Sequence, residues 1–245
     1  MKSTLPATHL LRQFLLFLLT CVFLLTLMRA AYGLWQFPKL EEADALIPLF
    51  VQGLRFDLAL IGLICLIPVV LGSLLSMTSA TRGLAKFVIV AFLLLGLLLI
   101  LVLELITPWY VDTQGLRPDI DLLLATENPI DTVKQVATVH AIPLAVGVIL
   151  SVLILIAFWA RMELQRFLRY RVSALSALFM AIAGGLICLI AIWSTPDLRK
   201  PAFSPGDSLI SKDSTVNDLA MNSTYKTLYT AALPYLNKLG ELKTF

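Results

Sequence analysis

Charge is scarce in this chain. Asp, Glu, Lys and Arg make up 14% of its 245 residues, where a soluble domain carries about 25%. Cysteine is also rare: Cys21, Cys65 and Cys188 each lie inside an apolar run. That placement suits packing residues and excludes a disulfide framework. The two histidines, His9 and His140, have no metal-ligand spacing. No glycine-rich phosphate loop or dinucleotide fingerprint is present, and no cofactor is expected in this chain. No basic tract interleaves with aromatics, so nucleic acid is not an expected partner.

What the chain has instead is hydrocarbon, at 59% hydrophobic residues. Five stretches can cross about 30 Å of lipid at about 1.5 Å per residue. They run roughly Leu10–Tyr32, Leu54–Met77, Gly83–Ile106, Ala137–Ala160 and Val172–Trp193. The expected fold is an all-α integral membrane protein: five transmembrane helices, with interfacial helices in the outer loops and tail. Residues 1–194 form the membrane domain, 195–213 a linker and 214–245 a helical tail. The apolar Ala45–Val51 segment reads as a surface-lying helix ended at Gly53. Arg29 stands where a signal-peptide cleavage site would follow the first span, so that span is expected to stay as an anchor.

Cation placement suggests an orientation. With the N-terminus inside, the inner segments hold eight cations and the outer loops three (Lys39, Arg117 and Lys134). The positive-inside rule then favours a cytoplasmic N-terminus and an extracytoplasmic C-terminus in a bacterial inner membrane. Trp35, Trp109, Tyr110 and Trp193 fall where an outer aromatic belt would lie.

In that topology Arg29, Arg55, Asp57 and Glu104 share one depth near the outer leaflet. Each would cost a few kcal/mol if left alone in hydrocarbon, though less near the interface. Arg55 and Asp57 are two positions apart, about 200° around a helix, and cannot pair side by side. Two readings follow. The charges are interhelix ion pairs that fix the bundle, or they line a polar pocket where Arg55, Arg117 and Arg29 receive a lipid phosphate. In the second reading Asp57 and Glu104 support the arginines. Arg117, in "GLRPD", is either a solvated turn residue or a phosphate-facing one.

The loop after the third span is too long for a simple connector. Asn128-Pro129 reads as a helix start, and Leu122–Leu124 as interfacial. In the tail, Thr215 and Asp218 have capping-box spacing. Val216, Leu219, Ala220, Leu228 and Ala232 mark one apolar face, and Pro234 ends the helix. The sequon at Asn222-Ser223-Thr224 carries no weight, since chance matches are common.

Three stretches carry a resemblance: "GLRFDLAL" opening the second span, "ELITPWYVDTQGLRPDIDLLLATENPIDTV" after the third, and "DSTVNDLAMNSTYKTLYTA" after the fifth. In this order and spacing the chain resembles the N-terminal membrane part of the lipoteichoic-acid-synthase-like, sulfatase-superfamily phosphoglycerol transferases of Gram-negative type. The resemblance implies a membrane domain holding an extracytoplasmic hydrolase-like domain over the bilayer. That domain carries a threonine nucleophile and a divalent metal, and moves glycerol phosphate from an anionic phospholipid such as phosphatidylglycerol. Neither the metal site nor the nucleophile maps onto a residue here: Thr113, Thr132 and Thr230 have no matching setting. The expected role is therefore membrane anchoring and lipid presentation, with anionic phospholipid and a separate hydrolase-like domain as partners. The alternatives are a stand-alone membrane regulator or a small transporter. The absence of an internal repeat argues against the transporter.

Overall fold

The computed structural model describes residues 8–124, 134, 137–139, 141–162, 172–194 and 204–242. All regular structure among them is helical: α1 Thr8–Trp35, α2 Phe37–Glu42, α3 Leu46–Leu75, α4 Arg82–Gln114, α5 Ile120–Leu124, α6 Ala141–Arg161, α7 Ala174–Trp193, a 3-10 turn at Pro205–Ser208, α8 Ser214–Ala220 and α9 Ser223–Leu242. Five of these, α1, α3, α4, α6 and α7, are long and apolar enough to cross a membrane. The protein is an all-α, multi-pass membrane protein.

The apolar runs become helices because a backbone in hydrocarbon must satisfy its own hydrogen bonds. Two expected boundaries are corrected. Ala45–Val51 is not a separate surface helix. From Leu46 onward it forms the first turns of α3, which continues unbroken through Gly53 and Pro68 to Leu75. The third crossing extends past Ile106 to Gln114, so Thr107, Trp109 and Tyr110 are helical. Lipid or a partner must cover most of α6, since only 6% of its apolar window is buried within the protein.

The chain forms two compact units. The first comprises Met1–Leu24, Asp57–Leu99 and Ser151–Phe203. Gln13 Nε2 there donates to the Met162 carbonyl at 2.7 Å, satisfying an oxygen just past the end of α6. Phe17 and Phe158 meet edge to face, with centroids 6.0 Å apart. A Cβ on Gly62 would lie 2.8 Å from the Cys188 carbonyl oxygen, so only glycine lets these backbones approach so closely. Cys21, Cys65 and Cys188 are all free thiols and buried.

The second unit comprises Leu25–Phe56, Ile100–Leu150 and Ser204–Phe245. It gathers the C-terminal ends of α1 and α4 with the N-terminal ends of α3 and α6, as successive crossings of alternating direction require. Its apolar centre is Tyr32, Leu40, Ala45, Leu49, Val216, Leu219 and Ala220. The tail is thus part of this core.

The tail differs from expectation in three places. Asp213, not Thr215, caps α8, accepting from Thr215 N at 2.7 Å and Val216 N at 3.3 Å. Asp218 is consequently not a capping-box partner. Pro234 does not end the last helix, which runs through it to Leu242. The break comes earlier, between α8 and α9, where the Asn222 side chain accepts from Tyr225 N at 2.7 Å. Part of the expected linker is also ordered, because Asn217 Oδ1 accepts from Ile210 N and Ser211 N, each at 2.8 Å. The expected helix start at Asn128-Pro129 lies outside the described residues.

Candidate functional site

The second unit contains a buried polar cluster at the end of α4. Glu104 points inward from α4 and is 3% exposed. Eleven residues on, Gly115 adopts a φ of +72°, which a glycine takes without a Cβ penalty. That turn reverses the chain and brings Arg117 back over α4. Arg117 Nη1 donates to both Glu104 carboxylate oxygens, at 3.1 and 3.0 Å. The guanidinium also lies over the Tyr32 ring, 4.9 Å from its centroid, a cation–π contact. The Tyr32 hydroxyl donates to the Glu104 carbonyl at 2.9 Å.

The tail completes this cluster. Ser223 N, in the first turn of α9, donates to Glu104 Oε1 at 3.0 Å. The Ser223 hydroxyl accepts from Arg117 Nη1 at 3.0 Å and bonds the Thr107 hydroxyl at 2.5 Å. Asp218 on α8 accepts from the Arg117 backbone N–H. Lys226 donates to Asp218 Oδ1 and to the Arg117 carbonyl, each at 2.9 Å. Two carboxylates thus face two cations. Burial disfavours the Arg117 charge, but Glu104, Tyr32 and Asp218, with the hydrogen bonds to Glu104, together outweigh it and raise the guanidinium's pKa.

Arg29 and Arg55 occupy different settings. Arg29 is 2% exposed and lies across α3, where Nη2 donates to the Gly53 carbonyl at 3.1 Å. Gly53 has no Cβ to obstruct it: one placed there would fall 2.1 Å from Arg29 Nε. The glycine that reads as a helix break is therefore a seat for an arginine. Arg55 is only half-buried. Its Nη1 donates to Gln52 Oε1 at 2.8 Å, and Gln52 in turn donates to the Asp207 carbonyl. Beside them Phe56 packs edge to face on Tyr225 at 5.1 Å, and Tyr225 stacks on Tyr229.

Glu104 and Arg117, singled out from sequence, therefore meet. Arg29 and Arg55 are not part of that pair. Asp57 is fully buried and belongs to the first unit. The sequence reading missed Asp218, Lys226, Ser223, Thr107 and Gly53. In the sequence Asp218 is visible only as a capping-box residue, off the apolar face of the tail. Hydroxyls and a glycine give no signal. The sequon residues Asn222, Ser223 and Thr224 are all buried at this junction. Among the described residues, no group of three or more His, Cys, Asp or Glu is placed to hold a metal ion.

No family model matches the chain, and no solved structure matches it.

Proposed function

We propose that the protein is a membrane-anchoring and lipid-presenting module. In this reading it acts at the outer face of the bacterial inner membrane, with its N-terminus cytoplasmic and its C-terminus extracytoplasmic. Its partner chemistry is the anionic phospholipid headgroup, of phosphatidylglycerol type. The resemblance to lipoteichoic-acid-synthase-like phosphoglycerol transferases supplies the associated reaction class. This chain's share is to anchor and present, the transfer itself belonging to a hydrolase-like catalytic domain.

One observation carries the reading. Of the five residues expected to form the polar cluster, Arg55 alone is half-buried rather than buried, the other four being 3% exposed or less. Gln52 orients its guanidinium and is itself anchored on the Asp207 carbonyl. A pre-set planar fork suits phosphate oxygens, and pre-organisation lowers the ordering cost of binding. Arg29 supports Arg55 by holding α3 at the Gly53 carbonyl, two residues away.

Native mass spectrometry of the purified protein with mixed lipids tests this. Arg55→Gln should weaken phosphatidylglycerol binding and leave zwitterionic lipid nearly unchanged. Arg55→Lys should rescue only partly, because it keeps the charge and loses the fork. Wild-type protein without a preference for phosphatidylglycerol would overturn the reading.

A further inference from the structure

The buried cluster at the end of α4 has an uncommon division of charge. Its two ion pairs are Arg117–Glu104 at 3.0 Å and Lys226–Asp218 at 2.9 Å. Both members of the first belong to α4 and its following turn. Both members of the second belong to the tail, on α8 and α9. Neither pair crosses the boundary between the tail and the rest of the unit.

What crosses the boundary is hydrogen bonding and apolar packing, not an ion pair. Ser223 N and its hydroxyl meet Glu104, Arg117 and Thr107. Lys226 Nζ and the Thr227 hydroxyl reach the carbonyls of Arg117 and Pro118, at 2.9 and 3.2 Å. Ile120 N donates to the Thr230 hydroxyl at 3.1 Å, and Arg117 N to Asp218. Apolar contact crosses as well: Val216, Leu219 and Ala220 enter the core beside Tyr32, Leu40, Ala45 and Leu49, and Tyr225 packs on Phe56.

Breaking a buried ion pair is expensive because it strands a charge. Separating two surfaces joined by neutral and charge-assisted hydrogen bonds is cheaper, since water replaces each bond. Here each side leaves with its charges already balanced. The Arg117 Nε and Thr224 Oγ1 atoms, both buried, have no hydrogen-bond partner among the described residues. Undocking would hydrate them, which further lowers its cost.

We propose that residues 204–242 form a reversible clamp, docked on the end of α4 and able to release as a unit with both ion pairs intact. The docked clamp covers Arg117. Release exposes a guanidinium, the Thr107 hydroxyl and the first N–H groups of α9 together. The proposal stands independently of any lipid preference at Arg55.

Hydrogen exchange read by mass spectrometry, on the full chain in nanodiscs, tests it. In wild type, amides of 214–230 should exchange together and faster than those of 100–111 in α4, which stay protected. Ser223→Ala removes the hydroxyl's crossing hydrogen bonds and leaves all four charged groups in place, and should speed tail exchange about tenfold. Thr107→Ala should act in the same direction, from the other side of the boundary. A disulfide between Thr107→Cys and Ser223→Cys should slow tail exchange to the α4 rate, and its reduction should restore opening. Tail amides as slow as those of α4 in the wild type would overturn the proposal. So would exchange in Ser223→Ala that rises equally in α4, because the tail would then open only with the whole unit.

Discussion

Replacing Gly53 with alanine should destabilise the protein, although alanine is the better helix former. In an exposed helix interior that change gains about 1 kcal/mol. Here the added Cβ would sit 2.1 Å from Arg29 Nε and 2.2 Å from Cζ, far inside van der Waals contact. Arginine is long and can swing aside, but this one is 2% exposed. It would have to give up its hydrogen bond to the Gly53 carbonyl and find another buried place for its charge. Losing a charged hydrogen bond costs about 1.5–3 kcal/mol, and overpacking adds about 1–3 kcal/mol. Against the gain in propensity, a net loss of about 1.5–5 kcal/mol remains. The assay is the thermal midpoint of unfolding in detergent micelles, followed by tryptophan fluorescence. Gly83→Ala is the control: a Cβ there meets nothing within 4 Å, and that variant should be neutral or slightly more stable. A Gly53→Ala protein as stable as wild type would refute the claim that this glycine seats Arg29.

Glu104→Gln keeps the side chain's shape and removes its charge. It should lower stability by about 3–5 kcal/mol by leaving Arg117 buried without its counter-charge, and Arg117→Met in the same chain should recover part of the loss, both read from the same thermal midpoint. Asp213→Ala should cost about 1 kcal/mol through loss of the α8 cap, seen as faster amide exchange at Thr215 and Val216. Reporter fusions at residue 80 and within the tail should lie on opposite sides of the membrane; a cytoplasmic report from both would refute the N-in, C-out orientation.

Hydropathy alone made the membrane character legible. Five long apolar runs in a charge-poor chain have few solutions other than five helices, because lipid offers no partner for an open backbone. The same logic marked Asp57 and Glu104 as residues that must turn inward. Short carboxylates cannot snorkel, and both prove to be buried. What local pattern could not settle was where helices began and what their small residues did. Gly53 reads as a break by propensity. It is tolerated inside α3 because a side chain from α1 needs its space, a requirement imposed by a residue 24 positions away. Pro234 likewise reads as a stop, yet α9 continues through it.

The tail shows the same division. Its one-sided apolar face was visible in the sequence, and so was its need for something to cover it. Which surface covers it, and that Asp218 and Lys226 turn toward Arg117, depend on a chain reversal at Gly115 and on contacts more than a hundred residues apart. Pairing across such separations leaves no periodicity in the sequence. Hydrophobic pattern determined that this chain enters a membrane and how often it crosses. Only the tertiary structure decided which buried charges meet, because an ion pair depends on distance in space and not on spacing along the chain.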